Sequence, residues 1–408
     1  MKKQKSRRVK NKGLFILLCG IFIVAFLASC TKDDEEERLP HRTLIAYMMC
    51  DGLDSNIRNN VRELTEASSD IKTADNILVF VDYRGEHSRI LKISKGKSEA
   101  VKDYGKDLVN SDPEVMSEVL KWCVSNYPAE TYSLVIGSHG SGWLIDNDTV
   151  PSKKSPFKAI GLAYGNDKAI NISTFTHVIK QLPHLEYVLF DCCVMQNVEV
   201  AYELRNSADY IIGSPAEIPD RGAPYKDILP ALLSSSPEPI AQGFYDAYIN
   251  GTYGVPISVV KTSELDNLMR ITREKLPLIF STYPTDVMTS GLIYYYTMYV
   301  GVGEGFDESV DLMYDMNDFM LKRLPLADYR QWRAQLEKTV PVRLFCSQWS
   351  HNSEVLPPIQ WDEFHVTADT YGGLSMFLPL TLYDKYKLNL NSDYKKTAWY
   401  NAVYGSSI

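Results

Sequence analysis

Two short stretches of this 408-residue chain concentrate groups capable of covalent chemistry: HGSGW, His139 to Trp143, and DCC, Asp191 to Cys193. Each follows an apolar run, LVI in the first case and YVLF in the second, of the kind that forms a buried strand. Strand ends in an α/β sheet deliver loops to one edge, so a histidine and a cysteine can meet there. A thiol near its ordinary pKa of about 8.5 is only partly thiolate at neutral pH, and an imidazole can take its proton or stabilise the anion. Glycines around His139 let a substrate backbone come close. The backbone N–H of Gly140 and that of the cysteine are candidates to hold a developing oxyanion. Cys193 also precedes VMQNVEVAYELRNS, which reads as a helix, and a helix N-terminus favours a thiolate.

Each residue also has a plainer reading. A strand-end cysteine fills a core, a lone histidine is hydrogen-bonded, and adjacent cysteines can close a strained disulfide. Asp191 can cap a helix or stabilise a turn. His177 and His184 have no acid or thiol at ligand spacing, and there is no CxxC pair, so no metal site is expected. No Gly-x-Ser-x-Gly elbow occurs, which removes a serine hydrolase of the α/β type. GVGEG, 301–305, lacks the last glycine of a dinucleotide fingerprint and reads as a loop.

The elements that must position these groups alternate. RTLIAYMMC, NILVFVDY, SRILKIS, TYSLVIG, EYVLFD, DYIIGS and VPISVVK read as strands. DGLDSNIRNNVRELTEA, PEVMSEVLKWCVSNY and ISTFTHVIKQL read as helices, the second started by Ser111, Asp112 and Pro113. Strand–helix alternation predicts an α/β fold with a mostly parallel sheet covered on both faces. The region from about 262 to 340 reads as helical, ESVDLMYDMNDFMLKRL included, while PVRLFC and GLSMFLPL read as short strands. The expected organisation is a core over 41–262 and a helical, short-strand region over 263–408 packed on it.

Residues 1–30 carry seven Lys and Arg, a short apolar run and LASC, the layout of an export signal. LASC resembles the lipobox of bacterial lipoproteins, which implies cleavage and lipid attachment at Cys30; the alternative is an uncleaved N-terminal anchor helix. An acidic tether, 31–40, follows and is similar to tags that direct lipoproteins to the outer face of the cell. The expectation is an exported lipoprotein of the outer membrane, exposed at the cell surface and held to the membrane by lipid on Cys30. The net charge falls from −8 to about −15 once those seven charges are removed, so nucleic acid is not an expected partner. Five of the seven cysteines lie beyond this leader, an odd number that suggests no dense disulfide framework.

HGSGW and DCCVM, with the strands before them, resemble the two signature blocks of the clostripain family of cysteine peptidases. LIAYMMCDGLDSNI, ADYIIGSPAEIP and GGLSMFLP are similar to further blocks of that family, so the resemblance runs from about 42 to 380. It implies a caspase-like three-layer sandwich with a helical and small-strand C-terminal addition, and a cysteine endopeptidase acting on protein or peptide. It makes His139 the catalytic histidine and Cys193, rather than Cys192, the nucleophile, with the amides of Gly140 and Cys193 as oxyanion hole. Asp191 matches an acidic position of the first specificity pocket, where a carboxylate would pair with Arg or Lys. Ser214 and Glu217 fall in the segment expected to wall that pocket. The segment departs from the family pattern: Pro215 and Ala216 come first, Glu217 is displaced, and Ala223 replaces a tryptophan. Some members cut themselves after the histidine block, which makes Lys153, Lys154 and Lys158 candidate self-cleavage sites. Some need calcium; the sequence itself requires no cofactor, and no EF-hand-like spacing occurs. The competing expectation is a lipoprotein that keeps this fold and groove only to bind protein or peptide.

Overall fold

In this computed structural model, the described residues are 39–405 other than 51, 107, 145–159, 161–168, 251–253, 283–288, 301–307 and 350–364. The leader, Cys30, most of the acidic tether, Lys153, Lys154 and Lys158 lie outside them. Pro40–Ile408 separate as one unit from Met1–Leu39.

The elements run β1 (Arg42–Met49), α1 (Asp54–Ala67), β2 (Asn76–Asp82), β3 (Arg89–Ser94), β4 (Lys97–Asp103), α2 (Pro113–Asn126) and β5 (Thr131–Gly137). Then come α3 (Ile172–Ile179), β6 (Leu185–Asp191), α4 (Val198–Leu204), β7 (Ala208–Gly213), α5 (Tyr225–Leu232), α6 (Glu238–Tyr248) and β8 (Ile257–Lys261). The remainder holds α7 (Leu265–Phe280), β9 (Tyr294–Val300), β10 (Glu308–Asp315), α8 (Met316–Arg323), α9 (Leu326–Thr339), β11 (Val342–Leu344) and β12 (Ser375–Met376). Three short helices between Thr381 and Tyr404 close the described chain.

A nine-stranded sheet has the order β11-β8-β7-β6-β5-β1-β2-β3-β4. Its centre, β7 to β2, is parallel, and antiparallel pairs finish both edges. The side chains of β1 show why such strands read as continuous apolar runs. Leu44, Ala46 and Met48 enter the core under α1, α5 and α6, whereas Ile45, Tyr47 and Met49 enter the core on the opposite face with α2, α3 and α4. Helices on both faces make the three-layer α/β sandwich. α2 begins where Asp112 accepts from the amides of Glu114 and Val115, with Pro113 just inside.

The C-terminal region departs from the expected helical run. β9 and β10 pair antiparallel, and β12 joins them in a second, three-stranded sheet, while β11 extends the main sheet beside β8. Glu308–Asp315 is thus a strand, and only after Asp315 caps α8 through the amides of Asn317 and Asp318 does the chain become helical. Among the described residues no helix is long and apolar enough to cross a membrane.

Candidate active site

β5 and β6 are adjacent and parallel, with Gly137 opposite Asp191. The Ser138 amide donates to the Asp191 carbonyl at 3.3 Å, continuing the register by one residue. His139 and Cys193 therefore each stand two residues past a paired position, on the same carboxyl edge. Both line one pocket of about 370 Å³, together with Asp191, Glu217 and Asp220. Sheet register delivers the two reactive groups to one rim, as the strand-end pattern predicts.

The glycines of HGSG have a steric cause. A Cβ on Gly140 would lie 2.7 Å from the Cys193 carbonyl oxygen and 2.9 Å from the Cys192 Cβ. Gly142 adopts φ +69°, and a Cβ there would meet Asn197 Nδ2 at 2.5 Å. The histidine loop is thus packed directly on the cysteine loop. Trp143, fully buried, stacks edge-on against Phe377 and tilts against Tyr394, at 4.9 and 5.4 Å between ring centroids. The late GLSMF block supports the cysteine loop as well: the Ser375 amide donates to the Gln196 carbonyl, and the Phe377 amide to Glu199.

None of the five described cysteines is in a disulfide, Cys192 and Cys193 included. Their environments differ sharply. Cys192 is fully buried with its sulfur 3.3 Å from the Ile136 carbonyl, and burial pushes its thiol well above the ordinary range. Burial also pushes Cys123 and Cys346 up to about 12, and Cys50 higher. Cys193 is the one described thiol that is not buried. Its sulfur accepts from the Ile218 amide at 3.4 Å and lies 3.7 Å from the Ile218 carbonyl. The expected help from a helix N-terminus is not there. α4 begins only at Val198, capped by Asn197, because Gln196 and Asn197 pair with Ser375 instead of turning helical. Four residues separate Cys193 from that helix, so the thiol is not part of its first turn.

Asp191 is buried and caps no helix. Its carboxylate accepts from the Ala223 amide and the Tyr225 hydroxyl, each at 2.8 Å. Burial raises its pKa to about 6 despite both bonds. Ala223, where the family pattern has tryptophan, thus holds the pocket's Asp191 carboxylate through its amide. Ser214 is placed differently from its expected role. It is buried behind the wall, where its carbonyl accepts from the Gln196 amide and its hydroxyl from the Ala216 amide. Glu217 does face the pocket. Gly140 borders Cys193 without lining the pocket itself. Leu53, Ile57 and Asn60 at the start of α1, and Asp220, complete the walls and were not singled out from sequence. The first three lie within or just beyond the LIAYMMCDGLDSNI block; Asp220 carries no local signal. Among the described residues no group of three or more His, Cys, Asp or Glu is arranged to hold a metal ion.

A caspase-like α/β sandwich with a histidine and an accessible cysteine at neighbouring parallel strand ends is the architecture of a class of cysteine peptidases. The clostripain family model matches residues 46–320, more than half of the chain, and the protein belongs to that family. Clostripain from Hathewaya histolytica is 25% identical over 162 residues, which cover 36% of this chain and 29% of clostripain. The chain therefore aligns with less than a third of that relative's length. A secreted C11 cysteine protease from Bacteroides thetaiotaomicron, solved with an irreversible peptide inhibitor, is 27% identical with a TM-score of 0.72. That likeness covers 89% of this chain and 99% of the other. An inactive zymogen C11 protease from Parabacteroides distasonis shares the fold, with a TM-score of 0.73 at 24% identity over 90% of this chain and 98% of its own.

Proposed function

We propose that this protein is a lipid-anchored cysteine endopeptidase that cuts after Arg or Lys through His139 and Cys193. The observation that carries the reading is the single pocket lined by His139, the accessible thiol and three carboxylates. The Cys193 thiolate attacks the scissile carbonyl, and the amides of Gly140 and Cys193 hold the oxyanion. His139 protonates the leaving amine as the C–N bond breaks, leaving a thioester. Water, deprotonated by His139, then releases the acid and restores the thiol.

Asp191, Glu217 and Asp220 supply negative charge to a pocket also lined by the apolar Leu53, Ile57, Ile218 and Pro219. A Lys or Arg side chain matches that pattern, with an aliphatic stem along the wall and a cationic head at the floor. The opening 1–30 segment supports export and lipid attachment at Cys30, with the outer membrane and cell surface as destination. Lys153, Lys154 and Lys158 are the proposed self-cleavage sites. Support comes from the downstream end, where Ile160 bridges Gly140 on one side and Ile170 on the other. A cut before Ile160 would leave that end tied beside the histidine loop.

Cleavage of a diverse peptide library by the purified chain tests this function. The expected result is cuts confined to bonds after Arg or Lys, lost in Cys193→Ala and His139→Ala. Binding of peptides with no cleavage under any condition would instead establish the groove as a binding site only.

A further inference from the structure

Three carboxylates share the pocket with the Cys193 sulfur, and each disfavours a thiolate there. The titratable groups that line the pocket with the sulfur are His139 from the β5 end, Asp191 from β6, and Glu217 and Asp220 from the segment after β7. Cys193 is not in the first turn of α4, which begins only at Val198. A hydrogen bond donated to the sulfur favours the anion alongside His139.

We propose that the main-chain amide of Ile218 is a positioning group for the nucleophile, holding the Cys193 sulfur as its anion at the pocket rim. This rests on Cys193 being the nucleophile. The geometry has three parts. The Ile218 amide donates to the sulfur at 3.4 Å, and the carbonyl of the same residue lies 3.7 Å away. One residue thereby serves both protonation states: the carbonyl accepts from the neutral thiol, and the amide donates to the thiolate. Next, the segment carrying that amide is fixed. The Val194 amide donates to the Ala216 carbonyl at 2.9 Å, and the Gln196 amide to the Ser214 carbonyl at 3.0 Å. This pairing anchors the chain two residues before Ile218.

The third part is strain. Val194, immediately after the nucleophile, has φ +49°, a conformation rare for a β-branched residue. It is held by its amide bond to Ala216 and by Asn197 Nδ2, which donates to the Val194 carbonyl at 2.8 Å. Strain of this kind persists where the surroundings over-determine it. Here it turns the chain sharply between the sulfur and the paired stretch, and so keeps Cys193 against the Ile218 peptide.

The test is the pH profile of alkylation by iodoacetamide, read by mass at Cys193, in the full chain. Ile218→Pro removes the amide hydrogen and keeps the carbonyl. Its alkylation midpoint should rise by about one pH unit, making it about tenfold slower than wild type below the midpoint and equal to it well above. Ile218→Ala keeps the amide and should follow wild type within about twofold. Coincident profiles for wild type and Ile218→Pro, or an equal shift in Ile218→Ala, would overturn the proposal. Should Ile218→Pro not fold, 15N-isoleucine labelling of the otherwise unaltered chain gives a second readout. The Ile218 amide resonance, assigned by its loss in Ile218→Val, should move with the alkylation midpoint and stay fixed in Cys193→Ala. A resonance that ignores the midpoint would overturn the proposal equally. A Cys193 that stays unmodified at every pH removes the nucleophile and this proposal together; a rapidly modified Cys193 with a coincident Ile218→Pro profile removes only the amide's role.

Discussion

The two ends of the central strands handle buried charge in opposite ways. At the amino end, Arg42 of β1 is fully buried, pairs with Glu186 of β6, and donates to the carbonyls of Leu232 and Ser234. Every one of those partners belongs to the scaffold. At the carboxyl end of the same sheet, Asp191 has two scaffold donors yet still faces a cavity, with Glu217, Asp220, His139 and Cys193 around it. One end ties a charge to the fold; the other leaves charge directed at a space a substrate can enter. Cys192 and Cys193 repeat that contrast within two residues, one sulfur pressed on the Ile136 carbonyl and the other on the pocket rim.

Substitutions at the two ends should therefore fail in different currencies. The largest loss of activity is expected for His139→Ala, about a thousandfold in kcat with an unchanged melting temperature, because it removes proton transfer and leaves the packing intact. Gly140→Ala comes next. The added methyl meets the Cys193 carbonyl at 2.7 Å, so the two loops must part, and kcat should drop about a hundredfold as the reacting groups are displaced. Asp191→Asn should cost about tenfold to a hundredfold in kcat/KM for Lys and Arg substrates, and much less for a substrate with an apolar residue at that position. The smallest activity change belongs to Arg42→Met. It should leave kcat/KM within about twofold at low temperature while costing about 3–5 kcal/mol of stability, because Glu186 loses its buried partner. An Arg42→Met enzyme that is stable but inactive would erase the distinction between the two ends.

The pH dependence sharpens the same contrast. Burial raises the Asp191 pKa to about 6. As pH falls through that value the carboxylate takes a proton, so kcat/KM for basic substrates should fall below pH 6 faster than for apolar ones. The linked stability has the opposite sense. Its folded pKa lies above the ordinary aspartate value, so the stabilising contribution is full below about pH 4 and is lost as pH rises through about 6. Glu199, buried and raised to about 8 by desolvation, adds a loss that continues to about pH 8. Thermal unfolding of Asp191→Asn and Glu199→Gln across pH 4–9 checks both, each variant flattening the part of the profile its carboxyl governs.

How much of this was legible follows from what each feature depends on. The parallel core strands were readable because burial on both faces writes itself as continuous apolar runs, as in LIAYMM and YVLF. The strand-end chemistry was readable because it sits at those runs' ends. β10 was misread because Val310, Leu312, Met313 and Met316 also fit a helical face, and pairing with β9 overrides that local pattern. The helix expected directly after Cys193 failed for a similar reason: Gln196 and Asn197 answer to Ser375, nearly 180 residues away. Asp220 and the Ile218 peptide were invisible because their roles arise from one loop folding over another strand's end. No residue type or spacing marks a main-chain amide.

The most direct measurement of the central claim is the site modified by a lysyl peptide chloromethyl ketone, mapped by mass spectrometry. The account predicts one adduct, on Cys193, formed equally in Cys192→Ala, slowed in Asp191→Asn and absent in Cys193→Ala. An adduct on Cys192, or modification that persists after Cys193 is removed, would contradict it.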